Sequence, residues 1–409
     1  MVYIEEDWVV GMNVEYRDSE RVVGIHRRNG GIRMGLFDFL KKRNNQNKQI
    51  SKSKDKKDFN ISSMISVKTE IINTPPEPDV IPVEKIIKGM KPNDVGLYPH
   101  EILLLSYAPK YYLEGNSYPG FWWYKYGVKD VDKCLISLKN RGFLQIGSLR
   151  LAIEKETAAV LKDILKDNGL KVSGKKAELV QRLINEVSEE KLNAIFTNRT
   201  YDLTNAGKEV LKKEEYIPYI HRQGIEDLDI WSLSKKVQDK PGYPYRDVIW
   251  GYLNERSMVH IKNRDFGLYR NCRFSMSEFI KEEGKIDNAF ALLSEVIRYD
   301  LSGLSNGFSM QFMDIYADGY FPYKNSIVTM APGITSRVVD YQEKKGLSDN
   351  DLKKKLYDEM SKIKLPFSVF TDDECVEIVL MEIHKDEENL EKFYNKAKRR
   401  FKKEYGLKK

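Results

Sequence analysis

A stretch with the residue types of a phosphate-binding site lies near the middle of the 409-residue chain, at 169–183, and reads GLKVSGKKAELVQRL. Its two glycines and the lysine after them stand in the order G-x-x-x-x-G-K, from Gly169 to Lys175. Glycine lets backbone N–H groups approach a phosphate closely, and lysine supplies positive charge beside it. The chemistry that this spacing predicts is therefore phosphate binding.

The first kind of phosphate site to weigh is the nucleotide-binding P-loop. A P-loop needs a buried strand before the glycines and a Ser or Thr after the lysine to hold Mg²⁺. The preceding residues, AAVLKDILKDN, instead place Leu161, Ile164 and Leu165 on one face of an amphipathic helix. Lys176 also stands where the hydroxyl belongs. The context therefore argues against an ATP site.

The elements around the glycines form a different pattern. After the first helix, Leu170 and Val172 alternate in a short extended piece, and Ser173 is predicted to cap a second helix that begins near Gly174. The second helix has an apolar face made of Leu179, Val180, Leu183, Ile184 and Val187. This helix–extension–helix order, with both glycines and the lysine pair at the join, resembles the SAP domain over a predicted module at 151–190.

The resemblance implies a small module that contacts the phosphate backbone of duplex DNA with little base readout. The residues that it implies for backbone contact are Lys171, Ser173, Gly174, Lys175 and Lys176, with Arg182 as a weaker candidate. Backbone N–H groups at the start of the second helix lie at the positive end of the helix dipole, which favours a phosphate there. The module is only weakly basic, so a single copy is expected to bind weakly. Protein contact is the alternative use of such a module.

The segments on either side of the module predict a second resemblance. A helix in DVDKCLISLKNRG leads into a strand, FLQIG, and the later segment TYDLTNAGKEVLKK predicts a strand running into a helix capped by Thr204. This order resembles a winged helix-turn-helix, with about fifty residues where a short wing belongs. We therefore predict a winged-helix-like domain at 89–215 with the module inserted at its wing. A hairpin-and-helix scaffold with no DNA role is the alternative.

The second half of the chain predicts helices only. A helical domain is expected over 216–345, and its segment 274–300 resembles one tetratricopeptide hairpin, with small Ala289 where the two helices pack. A single copy does not make a repeat array, so an ordinary helical hairpin is the alternative. Further helices with a basic tail are expected over 346–409, two of them starting at capping boxes (Ser348 with Asp351 and Thr371 with Glu374).

Charge is concentrated near the two ends of the sequence. Eight basic residues face one acid over 41–57, and again over 396–409, so these two stretches carry +14 and the rest of the chain −7. They are expected either to hold a polyanion or to be solvated. Residues 1–33 are predicted to be an over-long start of a bacterial gene, with Met34 as the true first residue. Residues 34–88 are predicted to form a disordered, basic, Pro-rich tether.

Several functional classes find no support in the sequence. Three distant cysteines and five scattered histidines give no disulfide or metal-ligand spacing, and no catalytic motif is present, so we expect no enzyme activity, cofactor or metal. No apolar run is long enough to span a membrane, and the expected setting is a reduced cytoplasm.

The predicted fold class is mainly α: a winged-helix-like α+β domain with the SAP-like insert, then an all-α helical domain. The predicted function is a bacterial or phage-encoded DNA-binding accessory protein with a helical partner-binding region. The alternative is a protein-interaction scaffold without a DNA role.

Overall fold

Helices dominate the structure, a computed structural model that describes residues 80–407. Within that range, nineteen α-helices accompany one two-stranded sheet, so the mainly α fold class is confirmed. The elements before the inserted module are α1 (Val83–Ile86), α2 (Pro99–Tyr107), α3 (Phe121–Tyr124), α4 (Val131–Asn140) and β1 (Leu144–Ile146). The module contains α5 (Leu149–Lys155), α6 (Ala158–Asp167), α7 (Lys176–Glu186) and α8 (Glu189–Ile195).

After the module the chain forms one short strand and then helices to its described end. The strand and the first helices are β2 (Tyr201–Leu203), α9 (Asn205–Lys213), α10 (Tyr216–Arg222), α11 (Ile230–Gln238), α12 (Tyr245–Lys262), α13 (Phe266–Lys281) and α14 (Ile286–Asp300). The remaining helices are α15 (Met313–Tyr320), α16 (Pro332–Lys345), α17 (Asp349–Met360), α18 (Asp372–Ile383) and α19 (Glu387–Glu404). The predicted capping boxes at the starts of α17 and α18 are confirmed.

Helix α2 lies within the first of three hydrophobic cores. Its apolar run from Ile102 to Leu105 is buried, because neighbouring elements cover every side of the helix. The aromatic stretch FWWYKY at 121–126 lies beside this helix. Its Trp122 and Tyr126 are also buried in this core, whereas Tyr124 stays exposed. The indole N–H of Trp122 donates to the hydroxyl of Tyr111 at 3.0 Å, so the buried donor is satisfied. Phe121, Trp122 and Tyr126 therefore pack into the first core.

The two strands form a hairpin from which the module emerges. Strands β1 and β2 pair antiparallel, with Leu144 opposite Leu203 and Ile146 opposite Tyr201. Just beyond the ladder, the N–H of Gly147 donates to the carbonyl of Thr200 at 2.7 Å, so the two ends of the module lie side by side. All of α5 to α8 is therefore contained between two paired strands. The winged-helix interpretation of 89–215 stays a prediction.

Two of the three hydrophobic cores extend across the predicted domain boundaries. The first core runs from Val83 to Leu292 and so continues across residue 216, and the second runs from Phe266 to Phe401 and continues across residue 346. At its start the first core includes α1, where the N–H of Val83 donates to the carbonyl of Gly127 at 2.9 Å. Packed structure thus begins before residue 88, where the tether was predicted to end. The rest of that tether and residues 1–33 lie outside the described residues.

Helices α13 and α14 form the helical hairpin predicted over 274–300. The hairpin is longer than predicted, because α13 begins at Phe266. Gly284 turns the chain between the helices with φ of +76°, a backbone conformation that suits glycine. Ala289 is buried at the crossing, and its carbonyl accepts a hydrogen bond from the hydroxyl of Ser277 at 2.7 Å. The tetratricopeptide resemblance itself stays a prediction.

A buried arginine ties α14 to α18 across the second core. Arg298 is 5% exposed, and its Nη2 lies 2.7 Å from Oδ1 of Asp372. Its Nη1 donates to the hydroxyl of Ser368 at 3.1 Å and to the Sγ of Cys375 at 3.1 Å. These contacts satisfy donors on Nη1 and Nη2, while the buried Nε has no hydrogen-bond partner among the described residues, and together they fix how the two helices meet.

Candidate nucleic-acid interface

The inserted module has a hydrophobic core of its own. Leu161 and Leu165 of α6 pack with Leu179 and Leu183 of α7, and all four side chains are fully buried. Burial of each leucine contributes about 1.5–3 kcal/mol relative to exposure. The core is smaller than the other two but separate from them, so the apolar stripes predicted from the sequence hold the two helices together within the module.

A glycine turn connects the first helix of the module to the extension. Gly169 has φ of +69°, and its N–H donates to the carbonyl of Lys166 at 2.9 Å. The next N–H, of Leu170, reaches back to the carbonyl of Leu165 at 2.8 Å. These bonds satisfy carbonyls at the end of α6 and turn the chain away from the helix axis. Residues 170–175 then run toward the start of α7 without regular structure.

Arg182 of α7 holds the extension in place. Its Nη1 donates to the carbonyl of Lys171 at 2.5 Å and to the carbonyl of Ser173 at 3.0 Å. The side chain is half-buried, unlike the lysines around it. Part of its guanidinium is therefore engaged within the module, which gives this residue a positioning role toward the extension.

The second helix starts later than predicted and lacks the predicted cap. It begins at Lys176, with Lys175 at the N-cap position, and no side chain caps it. Ser173 was expected to be the cap, but Gly174, at φ of +131°, carries the chain around a further bend before helical geometry begins. The hydroxyl of Ser173 is therefore two residues too early to reach the first N–H groups.

The open start of α7 is exceptional within the module. The other three helices are each capped by a hydroxyl, which accepts a hydrogen bond from a first-turn N–H; the caps are Ser148, Thr157 and Ser188. At α7 the first N–H groups have no such side-chain acceptor, and that of Glu178 donates to the carbonyl of Lys175 at 2.9 Å. Since these groups form the positive end of the helix dipole, an external anion can take the acceptor's place.

The residues proposed for phosphate contact surround that open helix start. All five of the main candidates are exposed and lie in one run of the chain: Lys171, Ser173, Gly174, Lys175 and Lys176. The structure thus places these five predicted residues together along the extension and the first turn of α7. Arg182 lies next to them and is bonded to the extension.

A comparison with protein families assigns residues 153–187 to the SAP domain. The chain contains a SAP domain. The match covers α6, the extension and α7, and it confirms the resemblance drawn from the glycines, the lysine pair and the apolar positions. Since a SAP domain is in general a DNA-binding module, its presence supports a DNA-binding role for the chain. A comparison with curated proteins gives no match.

An acidic side chain that sequence reasoning overlooked lies beside the open helix start of the SAP domain. A Cβ placed on Gly174 would lie only 2.5 Å from Oε2 of Glu178, so the Glu178 carboxylate is close to the bend. This carboxylate is exposed and belongs to the first turn of α7. Its position favours the helix, because a negative charge interacts well with the positive end of the dipole, but it opposes a phosphate in the same place.

A lysine anchors the SAP domain to the rest of the chain. Lys155, at the end of α5, donates to the carbonyl of Lys110 at 2.7 Å, and its Nζ lies 3.5 Å from the centre of the Tyr112 ring. Burial lowers the pKa of this amine. Lys155 thus holds the domain against the loop after α2, and its charge is directed inward.

The described residues offer little for other kinds of chemistry. No cluster of three or more His, Cys, Asp or Glu side chains within 80–407 is arranged to hold a metal ion. Burial raises the pKa of Cys375 and of Cys272 to about 12, and that of Cys134 to about 11, so all three thiols stay protonated and unreactive. Over the same range no helix has the length and apolar character needed to cross a membrane.

Proposed function

We propose that this chain is a DNA-binding accessory protein whose SAP domain contacts the phosphate backbone of duplex DNA with little regard to base sequence. The observation that supports it best is the uncapped start of α7, flanked by exposed Lys171, Lys175 and Lys176. A phosphate oxygen placed there accepts hydrogen bonds from backbone N–H groups of the first turn, although the Glu178 carboxylate beside Gly174 weakens its binding. Such contacts fix position but do not read bases.

The charge balance of the SAP domain predicts that this contact is weak by itself. Residues 153–187 carry seven lysines and arginines against six acids, so the net charge is close to zero. Four of those cations and only one acid lie within 171–182. The positive charge is therefore concentrated on the part of the domain that is proposed to face the phosphates. Useful affinity therefore requires further contacts from the same chain, whose contributions combine through effective concentration.

The proposal is tested on the full chain with several duplexes of unrelated sequence. We expect similar affinities for all of them, and a steep loss of affinity as salt rises, because each neutralised phosphate contributes a slope of about −0.9 to log K against log salt. Binding confined to one duplex, or binding that does not respond to salt, would contradict backbone-directed recognition.

Replacing Arg182 with glutamine separates positioning from phosphate contact. Loss of the two bonds to the extension is expected to speed amide hydrogen exchange over 172–175 by about ten-fold and to weaken DNA binding by about three-fold. The salt slope should stay as in the wild type, since a positioning residue neutralises no phosphate. Arg150→Gln, at an exposed arginine of α5, is the control with the same charge change. A slope reduced by about one unit would make Arg182 a phosphate contact instead.

Replacing Glu178 with glutamine is expected to strengthen DNA binding. The change removes a negative charge beside the phosphate proposed to bind at the start of α7. Affinity for DNA should therefore rise by about three-fold at low salt and by less at high salt, where the charge is screened. Titration of the full chain with duplex DNA at two salt concentrations measures the effect. Glu186→Gln, at the far end of the same helix, is the matched control and should change nothing. An unchanged affinity for Glu178→Gln would place the phosphate elsewhere.

The second candidate function, a protein-interaction scaffold, is favoured by an apolar patch in the helical half. Met310, Phe312 and Ile315 are 44–66% exposed, and Asp314 and Asp318 lie exposed beside them on α15. A partner segment that is apolar and bears basic residues fits this surface. A variant with Met310, Phe312 and Ile315 all changed to Ser would lose such a partner and keep DNA binding if both proposals hold. The proposed bacterial or phage origin, cytoplasmic setting and winged-helix scaffold rest on the sequence patterns alone.

A further inference from the structure

The last helix presents two different faces. Leu390, Tyr394, Ala397 and Phe401 of α19 recur at helical spacing and are buried in the second core. The hydroxyl of Tyr394 donates to the carbonyl of Val328 at 2.5 Å, which fixes the rotation of the helix on that core. The apolar face of α19 is thus fully used inside the protein, and only the opposite face meets the solvent.

The solvent face of the last two turns of α19 is densely basic. Its residues, here called the α19 basic face, are Lys396, Lys398, Arg399, Lys402 and Lys403. Among the described residues none of these five makes an ion pair. Arg400, in the same stretch, differs, because it pairs with Glu374 and donates to the carbonyl of Val369 at 3.0 Å. The α19 basic face therefore carries positive charge that no ion pair of the described residues neutralises, although Lys396 helps to lower the pKa of the Glu374 carboxyl.

In the neighbouring helices most lysines and arginines are ion-paired. Between residues 246 and 362, thirteen of the seventeen lysines and arginines form ion pairs with acids of the same half of the chain. On α19 five of the six cations between Lys396 and Lys403 are unpaired. The concentration of free charge is thus a local feature of α19 rather than a general property of this half.

The dimensions of the α19 basic face suit a nucleic-acid backbone. Lys396, Arg399 and Lys403 are exposed and follow one another at i, i+3 and i+7, which at 1.5 Å per residue makes a line about 10 Å long. Duplex DNA presents one phosphate charge per about 1.7 Å of its axis, so several phosphates face a line of that length. Insertion into a membrane is disfavoured, since an interfacial helix needs a free apolar face and that of α19 is buried.

We infer that the α19 basic face is a second contact surface for the phosphate backbone of duplex DNA, separate from the SAP domain. It needs no base contacts and no residue of the SAP domain. Two weak, sequence-neutral surfaces on one chain make the second contact intramolecular once the first has formed, which raises the overall affinity without a new kind of interaction.

The test uses the full chain with Lys396, Arg399 and Lys403 all changed to Gln. Affinity for a duplex longer than about 30 base pairs should fall by at least about ten-fold at low salt, and the salt slope should shrink by about two to three units. The matched control changes Lys344, Lys345 and Lys353 to Gln, which removes the same charge from exposed residues that are already ion-paired on α16 and α17. This control should change affinity by less than about two-fold.

Three outcomes would overturn the inference. The first is unchanged DNA binding in the α19 triple variant, and the second is an equal loss in the control, which would make net charge the cause. The third is that the α19 triple variant loses binding to vesicles containing phosphatidylserine but keeps its binding to DNA. That result would assign the α19 basic face to lipid headgroups. Repeating the triple change in a chain that already carries Lys175→Glu and Lys176→Glu keeps the two surfaces distinguishable, because a further loss there supports the α19 basic face whatever the SAP domain does.

Discussion

Changing Lys175 and Lys176 together to glutamate is expected to lower the affinity of the full chain for duplex DNA by about two orders of magnitude at 0.1 M salt. Each phosphate contact contributes about one order of magnitude at that concentration through counterion release, and both lysines lie exposed at the open start of α7. The loss should be the same for unrelated sequences, since the contacts reach phosphates only. Binding isotherms at three salt concentrations give both the affinity and the slope, which should shrink by about two units.

The control for this double change is Lys162→Glu with Lys166→Glu. These two lysines are also exposed on the SAP domain but lie on α6, away from the start of α7, and the change in charge is identical. We expect a small, salt-sensitive loss from the long-range field and no comparable fall in slope. If the α6 pair proves as damaging as the α7 pair, the site is not at the helix start. If neither pair matters, the SAP domain serves another purpose in this chain.

Replacing Arg298 with methionine is expected to destabilise the second core by about 3 kcal/mol. The change keeps most of the apolar volume but leaves the Asp372 carboxylate and the Ser368 hydroxyl without their donor. We expect faster hydrogen exchange in α14 and α18 and a lower midpoint of denaturation by guanidinium chloride. DNA binding at temperatures well below the unfolding transition should be unaffected, because the SAP domain has a core of its own and α19 stays folded on the second core there.

A matched surface pair shows whether burial is the reason for that loss. Lys353 of α17 pairs with Glu377 of α18, and both side chains are close to half exposed. Lys353→Met should therefore cost less than about 1 kcal/mol, since exposed ion pairs contribute little. Adding Asp372→Asn to Arg298→Met should recover part of the stability, because the unpaired carboxylate is then gone. Equal losses at Lys353 and Arg298 would remove the special role given to the buried arginine.

The SAP domain was predictable because its information is local. Leu161, Leu165, Leu179 and Leu183 fall at helical spacing on two short segments, and Gly169 ends the first of them, so the sequence determines both helices and the turn between them. The cap was predicted wrongly because the rule chooses the nearest hydroxyl. No rule of spacing shows that Gly174 takes φ of +131° and delays the helix until Lys176.

The arrangement of the three cores was not predictable in the same way. The first core joins Val83 to Leu292 through helices that are far apart in sequence, so no local change of composition marks where it ends. Arg298 and its partners illustrate the same difficulty, since Asp372 lies more than seventy residues away and nothing about either residue alone indicates burial. The unpaired state of the α19 basic face likewise depends on which acids the fold brings near, and only the structure supplies that.

The pairing of β1 with β2 makes the attachment of the SAP domain a double one. A domain joined by a single linker samples a wide cone of directions, whereas this one leaves and re-enters the chain through adjacent strands, and Lys155 adds a third point of contact. If DNA binds at α7 as proposed, it is presented to the remainder of the protein in a narrow range of orientations. The two-point attachment therefore fixes the orientation of the SAP domain when the chain folds. The corresponding orientational entropy does not have to be lost again when DNA binds.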